Sequence, residues 1–594
     1  MKKYIGILIC LLGLASCQKE VLNSQPLDII SDAVLWNDPI LVDTYLSDIY
    51  AQMTVFDREC NSLYRITKNW TEDDIYTGLF AANLVSDDCR DGYQGSAYSR
   101  YKFGLDINGG LMDWWDKGYS QIRKCNEFIT RVPTSSIDLA LIKGKVAEAR
   151  FLRAYAYFSL VKRYGGVPLI TKAQGIYDPQ AELYPKRDNE ESVYNFILSE
   201  IDAIVNDLPE IVSDVNVGRP GKYAALALKS RAALYAGSIA QFGTVKLNGV
   251  VGIDQSKASG FYQQSYSASQ KIINSGLFAL YNKYPDDKVK NYRQLFLDKF
   301  NSEVIFAKDH NSILFKNGGL GTGFDFFNGP NPNGWGGGST ENPYLEMVEQ
   351  YEYIDGSSGK LDATVIQNGL WTMDELWANK DPRFFATIYT NQTLWKGKHL
   401  DYHNGILLPD GNIETAKSFN GILPKGNQNI NSTCFGVLKY LDENNDGNWG
   451  NSQQCFQIFR YGEILLNYAE AAFELGKTGD ALNAVNQIRD RAGIVQLGSI
   501  NREIIRHERR VELAFETHRY FDTRRWRTAV HDLSVNGSGL RYILDYQTLK
   551  YKLKIVPNFE GTVKVPVFFE KNYHLPITLA RTGANPNLLE NPGY

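Results

Sequence analysis

Aromatic rings set among glycine, asparagine and acids are the residues of this chain whose chemistry stands out. One group runs from Asn69 to Tyr101 and carries Trp70, Tyr76, Phe80, Tyr93 and Tyr98 among Asp73, Asp74, Asn83, Asp87, Arg90 and Gln94. A second lies in Gly318 to Gly338, where Phe324, Phe326, Phe327 and Trp335 stand among Asn328, Asn331, Asn333 and a run of glycines. A flat ring beside amides and carboxylates suits a ligand with apolar faces and hydroxylated edges, and a sugar is such a ligand. Rigid aromatics supply contact area at small entropic cost, and loops on a rigid scaffold are where such work is done. Trp335, flanked by Gly334 and Gly336 to Gly338, has few neighbours able to bury it. Phe327, Trp70, Tyr76 and Tyr93 complete the expected ligand-binding set.

Other chemistries find less support. Asp442-Glu443-Asn444-Asn445-Asp446-Gly447 opens like a calcium loop, but the twelfth position, where a bidentate glutamate would close the coordination, is Gln453. An Asx-rich turn is expected there instead. His399 and His403 stand four apart, yet Gly397, Asn404 and Gly405 argue against the helix that would align them, and no third ligand is evident. No metal and no cofactor is expected. A glycoside hydrolase would need two carboxylates about 5 to 9.5 Å apart across a cleft. The 67 acidic residues allow such a pair, but no motif singles one out. His-Glu-x-x-His, Gly-x-Ser-x-Gly and the Walker A pattern are absent. Gly319-Leu320-Gly321-Thr322-Gly323 sits in a polar loop, not between a strand and a helix. The expectation is a binding protein and not an enzyme. A purely structural helical adaptor would leave the aromatic segments without a purpose.

The first residues address the compartment. Lys2 and Lys3 precede an apolar run, Ile5 to Leu14, and Leu14-Ala15-Ser16-Cys17 closes the segment. A basic start, a short apolar stretch and small residues describe an export signal; a membrane span would need roughly 20 apolar residues. The closing tetrapeptide resembles a bacterial lipobox, which implies a signal peptide over residues 1–16 and lipid attachment at Cys17. Gln18-Lys19-Glu20 has no Asp at the second mature position, which by the same resemblance favours the outer membrane and its exterior face. The net charge of −4 offers no global pull on nucleic acid. Besides Cys10 and Cys17, the scattered Cys60, Cys89, Cys125, Cys434 and Cys455 make no disulfide framework, and no Cys-x-x-Cys occurs.

Three helical blocks must position the aromatic segments. In the first, Asp113 to Val132 and Leu139 to Tyr164 read as consecutive helices. Ile142, Val146, Ala149, Leu152, Ala156 and Leu160 form one face of the second. Ser135-x-x-Asp138 is capping-box-like, and Gly165-Gly166-Val167-Pro168 is a stop. The second block runs from Glu190 to about Leu208, from Lys222 to Gln241 and from Phe261 to Asn274. In the third, Tyr461 to Leu475 ends at Gly476, Asp480 caps a helix to Ala492 that stops at Gly493, and Asn501 to about Thr517 adds another. Small residues alternate with aromatics at 149–158, 223–236 and 465–475, which lets helices approach closely. The pair Tyr468 to Ile488 is similar to one tetratricopeptide unit. Val304 to Lys308 and Phe384 to Tyr389 read as short strands. Acids and bases alternate from Glu508 to Glu516, a spacing that supports ion pairs three and four residues apart; a charge network holding helices in register is the expected role. Trp114 and Trp115 are expected core anchors.

Several of these motifs, in this order, carry a family resemblance. They are the Cys17 lipobox, the Trp114-Trp115 to Asn126 helix, and Ala147-Glu148-Ala149-Arg150-Phe151-Leu152-Arg153-Ala154-Tyr155 with its Gly-Gly-Val-Pro stop. Asp381-Pro382-Arg383-Phe384 follows, then Arg460-Tyr461-Gly462-Glu463-Ile464-Leu465-Leu466-Asn467-Tyr468-Ala469-Glu470-Ala471. The last are Glu508 to Glu516, His518-Arg519-Tyr520-Phe521-Asp522 and Arg525-Trp526. The chain resembles the SusD/RagB family of outer-membrane nutrient-binding lipoproteins. The resemblance implies a mainly α fold, a right-handed superhelix of four tetratricopeptide-like helix pairs with long irregular loop insertions carrying a few short strands. It implies one domain over 17–594, with a helical scaffold over about 30–52, 113–275 and 460–530 and insertions over about 54–112 and 275–459. It further implies a glycan ligand and delivery to a SusC-like TonB-dependent outer-membrane transporter. A peptide ligand, as in RagB-like relatives, is the alternative.

Overall fold

The computed structural model describes residues 32–56, 81–92, 97–105, 109–213, 216–310, 322–330, 340–414, 433–445, 452–561 and 565–594. Helix α1 (Pro39–Gln52) starts at Asp38, whose carboxylate accepts from the Ile40 and Leu41 N–H groups at 2.8 and 3.3 Å, with proline at the first helical position. Helices α2 (Trp115–Arg131) and α3 (Leu139–Tyr164) follow. Asp138, not Ser135, caps α3 by accepting from the N–H groups of Ala140 and Leu141. The cap must directly precede the first helical residue, and that residue is Leu139. The helix stops at Gly165, φ 76°, and the chain then passes so close to the 188–190 segment that a Cβ on Gly166 would lie 2.0 Å from the Asp188 carbonyl.

Helices α4 (Glu190–Ile204), α5 (Lys222–Phe242) and α6 (Ala258–Ile273) make the second block, and α7 (Tyr461–Glu474) and α8 (Thr478–Ala492) open the third. Each helix packs on the next, so α1/α2, α3/α4, α5/α6 and α7/α8 form four successive pairs. Every residue of α3 from Phe151 to Tyr164 is buried, as a helix at the centre of a stack requires. Close approach rests on glycines facing rings: a Cβ on Gly118 of α2 would sit 2.8 Å from Leu160 of α3, and one on Gly237 of α5 2.9 Å from the Tyr262 ring of α6. Trp114 is fully buried and Trp115 nearly so, its ring edge-on to Tyr164 at 5.2 Å; both are core anchors.

Two ends differ from the sequence-based expectation. Asp480 does not cap α8; it lies in the first turn and accepts from the Tyr266 hydroxyl at 2.8 Å, which ties α8 to α6. Helix α9 (Arg502–Glu512), capped by Asn501, stops five residues short of Thr517. Phe515 and Thr517 have φ of 62° and 68°, which no α-helix accommodates. Asn83 holds that bend, donating to the Phe515 carbonyl and accepting from the Thr517 N–H, each at 3.0 Å. Helix α10 (Arg519–Arg525) follows.

Besides four two-residue strands (Ile388–Tyr389, Leu394–Trp395, Lys398–His399 and Gly436–Val437), the described strands are β1 (Cys89–Asp91), β2 (Val304–Lys308), β3 (Glu341–Pro343), β4 (Leu370–Trp371), β5 (His403–Leu407), β6 (Ile413–Glu414), β7 (Phe456–Arg460), β8 (Gly539–Asp545) and β9 (Tyr551–Val556). Strands β1 and β3 pair antiparallel, as do β2 and β7. A five-stranded sheet runs β4-β9-β8-β5-β6, with only β8 and β5 parallel. The segment Phe384 to Tyr389 is mostly helical, contrary to its strand-like pattern: Pro382–Thr387 is a short helix, and only Ile388–Tyr389 is extended. Asp381 accepts from the Arg383 N–H and Pro382 stands at the first helical position, so this start signal outweighs the alternation. Cys89, Cys125, Cys434 and Cys455 are buried free thiols.

Candidate ligand-binding site

The strand pair β2/β7 closes the long insertion, and a buried charge network fastens its base. Arg460, at the end of β7, donates to Glu303 at 2.6 Å, to Glu512 at 2.8 Å and to Glu516 at 2.7 and 2.9 Å. Arg491 of α8 reaches Glu303 and Glu512, and Arg383 of the insertion reaches Asp381, Glu508 and Glu512. Lys439, also in the insertion, holds Glu516 at 2.7 Å, and Arg489 holds Glu508 at 3.0 Å. The acids of the Glu508 to Glu516 motif therefore pair across to other elements, and not along their own helix as their spacing suggests. Glu508 and Glu512 are four residues apart and share one inward face, so their cations must come from outside. Arg509 points elsewhere, to Asp522 and Asn467. Burial alone would raise the Glu512 carboxyl, but Arg491, Arg460 and Arg383 outweigh it and hold it well below the usual range. Every acid named here faces a cation. The network has the chemistry of a clamp, holding the insertion to the scaffold in register.

Described residues at the borders of the two aromatic segments meet in the β1/β3 pair. Arg90 of β1 stands opposite Asn342 of β3, and the Gly92 N–H donates to the Thr340 carbonyl at 2.8 Å. Gly92 and Thr340 are the described residues that border 93–96 and 331–339. Thr340 also donates its N–H to the Phe327 carbonyl at 3.0 Å, and the Glu341 N–H donates to Asn328 Oδ1 at 3.1 Å. Residues 250 positions apart in sequence are thus joined by a two-stranded ribbon. Phe327 is half-buried, edge-on to Phe326 at 5.0 Å. Of the expected ligand-binding residues it is the one among the described residues; Trp335, Trp70, Tyr76 and Tyr93 lie outside them, as does Cys17.

Several polar residues of these segments are structural. Asp87 pairs with Arg510 at 3.0 Å and Arg519 at 2.8 Å. Burial would raise its carboxyl, but the two guanidinium groups hold it well below the ordinary value. Arg90 pairs with Glu560 at 3.1 Å and lies over the Phe559 ring. Asn83 is the brace of the Phe515–Thr517 bend. The Glu303, Arg491 and Glu560 partners carry no local signal, because each meets its partner only through the fold.

Asp325, two residues before Phe327, ties the short helix that holds both to the 442–454 segment. It accepts from the Asp442 N–H at 3.0 Å and from Asn445 Nδ2 and Gln454 Nε2, each at 2.7 Å. Burial pushes its carboxyl up to about 6, with those hydrogen bonds pulling the other way. Asp442 Oδ1 accepts from the Asn444 N–H at 2.9 Å, so the described part of the calcium-loop-like stretch, 442–445, is an Asx turn docked on Asp325; its remainder through 451 lies outside the described residues. His399 and His403 lie on extended segments; His399 Nδ1 contacts the Gln392 carbonyl and His403 Nδ1 contacts Asp401. An open recess of about 580 Å³ on the scaffold, lined by Trp115, Tyr119, Arg123, Pro168 and Arg581, includes none of the expected ligand residues.

The described architecture is thus paired helices, an insertion clamped at its base, and a two-stranded ribbon that joins the borders of the two aromatic segments. The chain belongs to the SusD/RagB family. The SusD family model matches residues 302–594, and a further model, described as "Starch-binding associating with outer membrane", matches residues 93–234. The family is one of non-catalytic binding proteins. A SusD-like protein of Bacteroides ovatus is 27% identical over 450 residues, 72% of this chain and 68% of that protein. SusD-like protein P2 of Formosa agariphila is 23% identical over 619 positions that span 100% of both chains. Among solved structures, a SusD-like protein from Bacteroides fragilis matches with TM-score 0.73 and 24% identity, covering 96% of this chain and 100% of that one. Surface glycan-binding protein A from Bacteroides uniformis matches with TM-score 0.60 and 16% identity, covering 93% and 99%. At these identities the structural likeness speaks for the fold.

Proposed function

We propose that this protein is a lipid-anchored surface component of the outer membrane that binds an oligo- or polysaccharide and delivers it to a SusC-like TonB-dependent transporter. The observation that carries this reading is the β1–β3 ribbon, which joins described residues at the borders of the two aromatic-rich sequence segments. Relatives lend support: one solved neighbour is a laminarin-binding SusD-like protein and another a surface glycan-binding protein. In this reading Trp335, Phe327, Trp70, Tyr76 and Tyr93 supply the rings, and the charge network keeps their anchors from shifting when a long glycan is bound. Residues 17–594 act as one unit, tethered through Cys17.

The test is calorimetric titration of the lipid-free mature chain against plant, host and microbial polysaccharides and mixed peptides, with Trp335→Ala alongside. One glycan bound by the wild type and lost in the variant supports the reading. A chain that binds only peptides would replace the glycan with the RagB-like alternative. Cys17→Ala, followed by membrane fractionation, tests the anchor: the variant should leave the outer-membrane fraction.

A further inference from the structure

Helix α10 ends in a turn that glycine normally completes. Trp526 is its C-cap; the Arg527 N–H donates to the Arg524 carbonyl at 3.2 Å, and the Thr528 N–H to the Thr523 carbonyl at 3.0 Å. This double bond pattern puts the residue after the cap in the left-handed region, and Arg527 has φ 60°. At the matching position after α8 the chain has Gly493, φ 80°. A non-glycine residue held there carries strain that glycine would avoid, and such strain points to work done by the side chain.

The Arg527 side chain also differs from its neighbours in what it touches. Arg519 holds Asp87, Arg525 holds Glu470, and Arg524 donates to the Tyr573 carbonyl at 2.6 Å. Arg527 stacks on the Tyr573 ring, 4.5 Å from its centroid, and among the described residues its guanidinium has no ion pair and no hydrogen bond. It lines a recess of about 90 Å³ with Lys246, Lys571, Tyr573 and His574.

Two acids lie nearby. Glu190 is buried, accepts from the Gly252 N–H at 2.6 Å and stands 3.9 Å from His574 Nε2. Glu570 lines the recess and is exposed. Neither forms an ion pair with Arg527, though the charge of each acts on it from farther away. Burial, together with the charges of Arg527, Arg524, Arg187 and Lys246, keeps His574 well below its ordinary value, so it faces the recess as a neutral ring.

A small concave site with cationic donors in excess matches an oxyanion, and a planar guanidinium can meet two of its oxygens at once. We propose that this recess binds a tetrahedral oxyanion, sulfate or phosphate, with Arg527 as the bidentate donor and Lys246 and Lys571 as flanking charges. The oxyanion arrives free or as an ester on a saccharide. The site uses none of the aromatic-segment residues, so its fate is separate from that of the glycan reading.

The experiment compares wild type, Arg527→Gly and Arg527→Lys, each as the lipid-free mature chain. Sodium sulfate and sodium phosphate are titrated against sodium chloride at matched ionic strength. Galactose 6-sulfate and galactose 6-phosphate are set against unmodified galactose. The wild type should bind sulfate or phosphate saturably, above any chloride response. Arg527→Gly should bind about tenfold more weakly or worse, and Arg527→Lys should keep part of the affinity. Without anion, Arg527→Gly should melt at or above the wild-type temperature, because glycine suits the left-handed position; loss of binding then cannot be a folding defect. Response to the free ions identifies the ion itself as the ligand, and response to the esters alone identifies a modified saccharide. No response beyond chloride to any ion or ester, or equal binding by Arg527→Gly, would overturn the proposal.

Discussion

Glu303 and Arg460 meet 2.6 Å apart, each 1% exposed or less at the side chain, where the first strand of the insertion pairs with its last. Through Arg460 the contact continues to Glu512 of α9, so both ends of the insertion are fastened to one scaffold helix.

Removing the cation from such a cluster leaves buried acids uncompensated, which costs about 3–5 kcal/mol. Arg460→Met should lower unfolding stability by that amount in a urea titration. A loss below about 1 kcal/mol would mean that the network does not hold the insertion.

Acid stability has a second source in Glu470, bound by Arg525 and by the Trp526 indole N–H. Burial alone would raise its carboxyl, but Arg525 and its neighbours hold it at about 2, against an ordinary 4.5. A carboxyl lowered in the folded state stabilises fully above pH 4.5 and loses that contribution as the pH falls toward 2. The contribution is about 3 kcal/mol. Glu470→Gln should be less stable than wild type at pH 6, and the gap should close by that amount between about pH 5 and pH 2. Parallel profiles for the two proteins would refute the assignment.

Helix contact at α5/α6 rests on Gly237, whose Cβ would press on the Tyr262 ring at 2.9 Å. Gly237→Ala should destabilise by about 1–3 kcal/mol through overpacking. Gly479 of α8 has open space at its Cβ position, and Gly479→Ala should be neutral or slightly stabilising. Thermal melts of the two variants check both signs at once.

Ligand contact and structural support separate by mutation. Phe327→Ala should weaken glycan binding by about 2 kcal/mol, roughly thirtyfold, with little change in melting temperature. Asp87→Asn should do the reverse, because Arg510 and Arg519 lose their shared acid. Titration and melting of each variant would show a crossed pattern; equal effects on both readouts would place Phe327 in the core.

The helical scaffold was legible because its signals are local. Asn501 stands next to the helix it caps, Gly165, Gly476 and Gly493 take the positive φ that ends a helix, and small residues beside aromatics mark where helices touch. Each signal spans a few residues and acts through backbone geometry or helical period, so a linear reading finds it. The same holds for the aromatic-rich composition of 69–101 and 318–338. Local reading failed where two local signals competed, as at Phe384 to Tyr389, or where a distant residue imposed the conformation, as Asn83 does at Phe515 and Thr517.

Pairing was decided only in three dimensions. The partners of Glu508 and Glu512 come from Arg383, Arg460, Arg489 and Arg491, and no spacing along α9 predicts them. Arg90 and Asn342 are 252 positions apart, yet they bring the borders of the two aromatic segments together. Arg527 reads as one more arginine in a basic run until its turn and its company are seen. A charge buried in a core takes whichever opposite charge the packing delivers, and packing is a property of the whole chain. Composition and period determined which helices form and which rings are available; tertiary structure alone decided which charges meet and which strands at the borders of the aromatic segments pair.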